Sequence, residues 1–487
     1  MSKELLSLEP KSLWENFYEL TLIPRPSKKE EKAVKFAEAF GKKHGLETVV
    51  DKVGNVIIRK PATRGFENRM GVIMQSHLDM VPQKNSDTKH DFENDPITAY
   101  IDGEWVKAKG TTLGADNGIG AAATFAVLAA NNLEHGPLEA LFTIDEETGM
   151  TGANNLQPEI LKGDILLNMD SEDEGELYVG CAGGSNANAT FTFRDEPVPA
   201  NHIAFELCLT GLKGGHSGMD ICLGRGNANK IMFRFLKEAV AQCGARLVSI
   251  DGGSLRNAIP REAFAVIVLP ADCEDDLHEL LNEFNEIIRG ELGRVEPDFS
   301  FICKTAQLPA FVMDEVTQDD LINAVQACPN GVIRMSTDMD NLVETSLNLA
   351  IVKSEGHEVK VMALIRSSVD TAKDEVESTL ESLFRLAGAE ISFSGQYPGW
   401  KPNMDSAILR TMQNVYKNKW GKVPEVRAIH AGLECGILGS VYPNWDMISF
   451  GPTIRSPHSP DERVNITSVE MFWQFLVETL KNIPVKR

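Results

Sequence analysis

Five short segments of the sequence place histidine or carboxylate side chains where a protein could use them for chemistry. They read SHLDMVP, GADNGIGAA, TIDEETGM, NMDSEDEG and SPHSPDERV, beginning at residues 76, 114, 143, 168 and 456. Imidazole and carboxylate groups bind divalent metals and carry protons. A mixed set of nitrogen and oxygen ligands suits zinc, cobalt or manganese better than calcium or a structural cysteine-type zinc site. The set therefore predicts a hydrolytic metal site.

The first segment holds a histidine and an aspartate two residues apart, at the end of an apolar run. In an extended backbone, the side chains of His77 and Asp79 point to the same side. A metal-bound imidazole needs its second ring nitrogen held by a carboxylate or a carbonyl. The pair can therefore supply a metal ligand together with the group that orients it. A structural histidine beside a local acid would give the same pattern.

The second segment places Asp116 among glycines, just before a helical stretch. A carboxylate there suits either a bridge between two cations or a helix N-cap. Residues 118–123 also match the dinucleotide-binding fingerprint formally. That interpretation fails because no buried strand precedes them.

The third segment ends an apolar strand in two neighbouring glutamates, Glu146 and Glu147. In an extended backbone, neighbours point to opposite faces, so the two should not bind one metal side by side. We expect one to bind metal while the other carries protons. A solvated acidic turn is the alternative.

The last two segments contribute Asp170, which ends a fourth apolar strand, and His458, which lies between prolines. Taken singly, each could be an ordinary loop residue. Taken together, the candidate ligands follow successive strands of one sheet: His77, Asp116, Glu147, Asp170 and His458.

The elements that must position these residues follow from the apolar periodicity. Ser27 with Glu30 matches a capping box that would open the first of the helices. We predict helices at 28–44 and 117–131 and strands at 55–60, 71–76, 138–144 and 164–169. Strands spaced by helices predict an α/β domain with a mostly parallel sheet flanked by helices. Ligand groups gather at the carboxyl ends of such strands.

The pattern changes between residues 187 and 399, which we predict to be an inserted α+β domain. Residues 186–212 alternate like a hairpin with one solvated face. Further strands are predicted at 263–269, 345–353 and 358–366, with helices at 225–243, 274–289 and 371–387. We expect residues 1–186 and 400–487, ending in a helix at 467–482, to form the catalytic domain around this insertion.

The composition excludes several classes of protein. Acidic residues outnumber basic ones by 70 to 48, and the net charge of −22 argues against nucleic acid or an anionic membrane as the partner. The apolar run at 118–130 is too short to span a bilayer, and the N-terminus lacks a signal-peptide core. The eight cysteines form no CxxC pair, which predicts reduced thiols and a cytoplasmic protein.

The five segments, in this order, resemble the motifs of the M20 family of co-catalytic zinc peptidases, and the resemblance extends over the whole chain. It implies two Zn²⁺ per subunit, with Co²⁺ or Mn²⁺ as substitutes. His77 and Asp170 would hold one ion, and Glu147 and His458 the other. Asp116 would bridge them, with a cis peptide bond after it. The resemblance further makes Asp79 the clamp of His77 and Glu146 the general base.

The same resemblance assigns the insertion as a lid and homodimerisation domain. His216 is similar to a lid histidine that reaches the partner subunit's site and polarises the scissile carbonyl. Asn257 and Arg366 resemble substrate contacts, and an arginine suits a bidentate hold on a free C-terminal carboxylate. The sequence GGHSG around His216 is not a nucleophile elbow, because Met219 stands where a glycine is needed.

The activity that the resemblance implies is hydrolysis of unblocked dipeptides, including Xaa-His dipeptides such as β-Ala-His (carnosine). A tripeptide aminopeptidase or an N-acyl amino-acid deacylase of the same superfamily is the alternative. A non-catalytic protein that keeps the fold for binding is a third interpretation. The presence of Glu146 at the base position disfavours it.

Overall fold

The computed structural model describes residues 3–486. They form two compact units. The first unit runs to Gly180, resumes over Pro402–Ala428 and continues from Leu433 onwards. The second comprises Cys181–Lys401 and Ile429–Gly432.

An eight-stranded sheet forms the centre of the first unit. In spatial order its strands are Glu47–Val50, Val56–Lys60, Leu138–Thr143, Val72–His77, Ile165–Asn168, Asp446–Ser449, Glu176–Cys181 and Glu425–Ile429. The four central strands, third to sixth in this order, run parallel to one another. The antiparallel pairs lie outside them. The predicted α/β fold is therefore confirmed, and its parallel strands end at or just before three of the candidate ligands, His77, Glu147 and Asp170. The expectation that all five follow successive strands of one sheet is wrong, because Asp116 and His458 lie on other elements.

Helices flank this sheet. They are Lys11–Thr21, Glu31–Lys43, Ala115–Ala129, Ala407–Trp420, Glu434–Val441 and Ile466–Lys481, with shorter turns at Lys3–Ser7, Glu146–Gly149 and Thr151–Asn154. The helix Ala115–Ala129 is buried along most of its length because glycine and alanine let it approach the sheet closely. Phe125 of this helix stacks on Phe142 of the sheet at a centroid distance of 4.5 Å. No helix within residues 3–486 has the length and apolar character that crossing a bilayer requires.

The predicted capping box at Ser27 and Glu30 is wrong. Ser27 Oγ donates to Asp79 Oδ2 at 2.8 Å. Glu30 occupies the N-cap without a side-chain capping bond, and its Oε1 accepts the backbone N–H of Asp145 at 3.0 Å. The same Glu30 oxygen accepts the backbone N–H of Lys28 at 2.7 Å. Both side chains therefore support loops of the candidate site over long range, which the local pattern does not encode.

A small four-stranded sheet brings two parts of the candidate site together. Its strands, in order, are Ile454–Arg455, Arg463–Asn465, Trp105–Ala108 and Ala99–Asp102. His458 lies in the turn between the first two strands. The second strand pairs with Trp105–Ala108, and the chain continues from there into the loop of Asp116.

The second unit contains a nine-stranded antiparallel sheet. Eight strands follow the order Ser300–Ala306, His202–Thr210, Ala263–Pro270, Arg246–Gly252, Val343–Glu355, Glu358–Ser367, Gly183–Thr192 and Glu390–Tyr397, and Gly331–Met335 also pairs with Val343–Glu355. The helices are Ala228–Cys243, Glu274–Leu292, Glu315–Ala327 and Asp370–Leu386, with short elements at Asp195–Pro197, Gly215–His216, Ile221–Leu223, Ala258–Ile259, Ala271–Cys273 and Phe311–Met313. One hydrophobic core joins sheet and helices. The inserted chain thus has the predicted α+β composition.

The predicted hairpin over residues 186–212 is wrong. The alternation correctly indicates two strands, Gly183–Thr192 and His202–Thr210, but they do not pair with each other. The first pairs with Glu358–Ser367 and the second with Ala263–Pro270. Their partners are remote in sequence, so local periodicity could not identify them.

Candidate active site

His77 ends the strand Val72–His77 with its two ring nitrogens facing different carboxylates. Nδ1 lies 3.2 Å from the backbone carbonyl oxygen of Asp79 and 3.3 Å from its Oδ1. Nε2 lies 3.2 Å from Asp116 Oδ1 and 3.3 Å from Asp170 Oδ1. One ring nitrogen is therefore held by an acid, and the other points at two carboxylates that could share a cation with it.

His458 forms a second cluster that includes the same aspartate. Its Nε2 lies 2.9 Å from Glu147 Oε2 and 3.2 Å from Asp116 Oδ2. The ligand atoms of His77, Asp116 and Asp170 lie within 4.8 Å of one another, as do those of Asp116, Glu147 and His458. Asp116 belongs to both groups and offers one oxygen to each histidine. The peptide bond between Asp116 and Asn117 is cis, as expected.

The donor atoms fit divalent cations. Each group combines one imidazole nitrogen with carboxylate oxygens, the donor chemistry of zinc and its usual substitutes. The buried Oε1 of Glu147 has no hydrogen-bond partner among the described residues. Burial raises the pKa of Glu147 and of Asp170, because a charged carboxylate in this position lacks solvation. A cation would supply the missing compensation.

The two histidines are strongly basic without a cation. Hydrogen bonds to Asp116 and Glu147 raise the pKa of His458 to about 11. Burial lowers the pKa of His77, but Asp170 and Asp116 outweigh it and hold this pKa well above the usual value. Cation binding requires the neutral imidazole, so it must displace protons from these rings.

The carboxylate of Asp79 collects donors from three segments. It accepts Ser27 Oγ at 2.8 Å, the backbone N–H of Glu146 at 3.0 Å and that of Glu147 at 3.2 Å, in addition to the contact with His77. Burial alone would raise the pKa of Asp79, but these donors lower it to about 2. One ionised side chain therefore positions a candidate ligand and the turn that carries both glutamates.

The two glutamates lie on a helical turn, Glu146–Gly149, and not on an extended strand end. Asp145 before them has a φ of 53°, which turns the chain sharply. The expectation that Glu146 and Glu147 face opposite sides is therefore wrong. One oxygen of each lies within 4.8 Å of the other and of a ring nitrogen of His77. Burial also raises the pKa of Glu146 well above its usual value.

His216, Asn257 and Arg366 lie in the second unit, where Ser217 connects them. Ser217 donates its backbone N–H to Asn257 O at 2.8 Å, and its Oγ accepts from Arg366 Nε at 3.2 Å. His216 Nδ1 accepts two backbone N–H groups, at 3.1 and 3.0 Å. In the neutral ring the proton therefore sits on Nε2, which can act as a donor.

Arg366 is buried without a counter-ion. Its side chain contacts only hydroxyl groups, Ser217 Oγ and Tyr397 Oη, and no carboxylate within residues 3–486 pairs with it. Burial lowers the pKa of the guanidinium. A buried cation that lacks an acidic partner could pair with an anionic ligand.

The whole chain was compared with known proteins. The profile of peptidase family M20/M25/M40 matches residues 73–482. The chain belongs to peptidase family M20. It is 49% identical over 483 residues to the cytosol non-specific dipeptidase of Escherichia coli (strain K12), covering 99% of this chain and 100% of that one.

Solved structures of two peptidases have the same fold. Aminoacylhistidine dipeptidase from Vibrio alginolyticus superposes with a TM-score of 0.96 at 51% identity, over 100% of both chains. Aminopeptidase PepT from Bacillus cereus superposes with a TM-score of 0.57 at 15% identity, over 98% of this chain and 99% of that one. At this identity the likeness shows the fold alone. The family resemblance read from the five segments is confirmed.

This M20 peptidase also has a buried polar network that the sequence analysis missed. Gln75, two residues before His77, donates to Glu434 Oε2 at 2.6 Å, and Thr143 Oγ1 donates to the same oxygen at 2.8 Å. Asn168 donates to Gln75 Oε1. Burial raises the pKa of Glu434 to about 8. The network connects three parallel strands close to the candidate ligands. In the sequence, the only local indication of this network was one polar residue within each of these apolar strands.

Proposed function

We propose that this M20 peptidase is a metal-dependent dipeptidase that hydrolyses unblocked dipeptides. The observation that carries the proposal is Asp116, whose two oxygens face His77 and His458 in separate ligand groups. We assign His77 and Asp170 to one Zn²⁺, Glu147 and His458 to the other, and Asp116 to both, with Co²⁺ or Mn²⁺ as substitutes. The E. coli relative, which is named as a dipeptidase, supports the reaction class, and its name as a cytosolic protein supports a cytoplasmic location.

Glu146 is the general base of the proposed reaction. Two cations bound at this site would acidify water and polarise the scissile carbonyl. Glu146 takes a proton from the water that attacks the carbonyl carbon, and it delivers that proton to the leaving amine as the C–N bond breaks. Asp79 keeps Glu146 in place by accepting its backbone N–H.

Arg366 is the proposed anchor for the free C-terminal carboxylate of the substrate, and Asn257 is a further substrate contact. The buried guanidinium without an acidic partner supports the first assignment. The Vibrio alginolyticus relative is described as an aminoacylhistidine dipeptidase, which supports Xaa-His dipeptides such as β-Ala-His as substrates.

A substrate panel tests this function. Ala-His, β-Ala-His, Leu-Gly-Gly and N-acetyl-methionine are assayed with the purified protein, after chelation, and after addition of Zn²⁺, Co²⁺ or Mn²⁺. We expect metal-restored cleavage of the two dipeptides alone. Cleavage of only the tripeptide or the acyl substrate would reassign the protein to an aminopeptidase or a deacylase. Metal binding without any cleavage would favour a binding protein.

We further propose that residues 187–399 act as a lid and form a homodimer in which His216 of one subunit serves the site of the other. Burial lowers the pKa of His216, which favours the neutral ring with an N–H on Nε2, a donor for the carbonyl oxygen. The strand Gly331–Met335 exposes Val332, Ile333 and Met335 beside the turn Ile221–Leu223, an apolar surface that a second copy would cover.

Mixed dimers test whether His216 of one subunit acts in the site of the other. Chains with Glu146→Ala and chains with His216→Ala are each expected to be inactive alone. Mixing them should create dimers in which one site has both residues, so that part of the activity returns. The absence of any return on mixing, with dimers verified by sedimentation, would show that His216 does not act across subunits.

A further inference from the structure

We infer that Arg25 and Glu462 are positioning residues that hold the turn at residues 113–116 from two sides and thereby set the orientation of Asp116. The inference rests on the proposed two-cation site, in which Asp116 is shared. Neither residue belongs to the candidate ligands. The hydrogen bonds that their side chains form within residues 3–486 all go to backbone groups.

Glu462 binds the turn from the side of the His458 loop. Its two carboxylate oxygens accept the four consecutive backbone N–H groups of residues 113–116, at 2.7, 2.9, 2.8 and 3.2 Å. This turn leads into the helix Ala115–Ala129, whose first N–H groups lack intrahelical partners. Glu462 is 2% exposed and follows His458 by four residues. One side chain therefore ties the loop of one histidine to the backbone of the shared aspartate.

Arg25 binds the same turn from the side of His77. Its Nη1 donates to the carbonyl oxygens of Leu78 and Asp79 at 3.0 and 2.8 Å, and its Nη2 donates to Gly114 O at 2.6 Å. Gly114 thus accepts from Arg25 while its own N–H binds Glu462. The arginine connects the turn to the segment that follows His77.

The glycines of this loop fit the same arrangement. Gly114 has a φ of 71°, and a Cβ there would lie 2.6 Å from Arg25 Nη2. A Cβ on Gly118 would lie 2.7 Å from the same nitrogen. Any side chain at either position would displace the guanidinium from its carbonyl partners. The GADNGIG segment therefore accommodates Arg25 as well as the helix.

The position of Asp116 must satisfy two contacts at once, because Oδ1 lies 3.2 Å from His77 Nε2 and Oδ2 lies 3.2 Å from His458 Nε2. Rotation or displacement of its backbone would spoil both. Groups that orient metal ligands typically change metal affinity or activity 10–100-fold when they are replaced. Arg25 and Glu462 should therefore control cation affinity through Asp116.

The test compares Glu462→Gln with Glu139→Gln. The first variant keeps the size of the side chain but turns one acceptor oxygen into an amide that faces N–H donors. Glu139 is the matched control: it is buried in the eight-stranded sheet, and its Oε2 accepts the backbone N–H groups of Lys162 and Gly163 at 2.6 and 2.8 Å, while its Oε1 accepts from Arg59 Nε at 2.9 Å. It lies near the start of the strand Leu138–Thr143, away from the ligands at the other end.

Three measurements are made on each chelated protein: the Zn²⁺ affinity by calorimetry, the visible spectrum after Co²⁺ loading, and the melting temperature without metal. We expect Glu462→Gln to lower the affinity for at least one of the two cations 10–100-fold and to change the visible spectrum of the cobalt-loaded protein. Glu139→Gln should keep the Zn²⁺ affinity and the cobalt spectrum of the parent, even if its melting temperature falls as much as that of Glu462→Gln. Parental affinity in Glu462→Gln, or an equal loss in Glu139→Gln, would overturn the inference.

Glu462→Asp covers the case in which the glutamine variant does not fold. It keeps the charge but is one methylene too short to reach all four donors, so the same loss of affinity is expected. Parental Zn²⁺ affinity in this variant, or failure to fold here too, would reduce Glu462 to a folding residue. Failure of the parent to bind any cation would overturn the proposed function itself, and this inference with it.

Discussion

Asp79 and His77 form a contact in which Asp79 Oδ1 lies 3.3 Å from His77 Nδ1. The same carboxylate accepts the backbone N–H groups of Glu146 and Glu147. A proposed ligand and the proposed base therefore depend on one side chain. In the proposed site, the His-x-Asp sequence at the end of this strand would supply a ligand together with the carboxylate that supports it.

We expect Asp79→Asn to lower both Zn²⁺ affinity and kcat/KM for Ala-His 10–100-fold. The amide replaces an oxygen that accepts hydrogen bonds with a group that can only donate. Zn²⁺ titration and steady-state kinetics measure the two effects. Ser27→Ala, which removes the 2.8 Å bond to Asp79 Oδ2 and a longer one to Met80 O, is the control and should cost less than about tenfold. If Asp79→Asn kept the metal affinity and turnover of the parent, Asp79 would not be the residue that supports the ligand and the base.

Glu146→Ala should abolish turnover while retaining bound metal. Loss of a general base typically costs about 10²–10⁴ in rate. Glu147→Ala, one residue along the same turn, should instead release a cation, because Glu147 Oε2 lies 2.9 Å from His458 Nε2. Metal analysis after gel filtration, combined with turnover of Ala-His, separates the two variants. Substantial activity in Glu146→Ala would contradict the assignment of the base.

Arg366→Ala should raise KM for Ala-His about 10–100-fold, the cost of a lost charge-assisted hydrogen-bond pair. The amide of Ala-His, which lacks the terminal carboxylate, should be cleaved equally by parent and variant. Kinetics on the two substrates distinguish loss of an anion anchor from general damage. Equal losses on both substrates would show that Arg366 does not bind the carboxylate.

His430 should make the free energy of unfolding depend on pH. Burial, reinforced by the positive charge of Arg366, lowers the pKa of His430 to about 3 in the folded chain, against about 6.5 when unfolded. The unfolded chain therefore takes up a proton between these values that the folded chain does not. Stability should fall as pH drops below about 6.5, by about 2 kcal/mol at pH 5 from this residue.

Urea unfolding of the parent and of His430→Gln at pH 7 and pH 5 measures this contribution. Glutamine can still reach Ser346 Oγ, which lies 2.7 Å from His430 Nε2. The parent should lose about 2 kcal/mol more than the variant between the two pH values. The same pH dependence in both proteins would mean that the folded and unfolded chains protonate His430 alike.

The sequence predicted the parts of the fold and candidate site that depend on local pattern. The parallel strands could be located because they are short apolar runs, and the candidate ligands because each follows such a run or lies in a constrained loop. The turn at Glu146 was missed because its course depends on Asp145, a non-glycine residue with φ of 53°. Local alternation carries no information on such a turn.

The remaining features depend on contacts between distant segments. Glu462 binds residues 113–116, and Arg25 binds Leu78, Asp79 and Gly114. Nothing in the neighbourhood of either residue in the sequence specifies its partner. The contact of Ser27 with Asp79 could not be predicted either. The local sequence around Ser27 matched a capping box, and that pattern gives no information on a partner 52 residues away. The predicted pairing of the two strands within residues 186–212 was wrong for the same reason.

The most direct test of the central claim is reconstitution of the chelated protein with Zn²⁺, following metal binding and Ala-His hydrolysis in the same samples. We predict no hydrolysis without metal and a rise that saturates when two equivalents are bound per chain. Hydrolysis that survives complete removal of metal, or two bound equivalents without hydrolysis, would contradict the proposed two-metal dipeptidase.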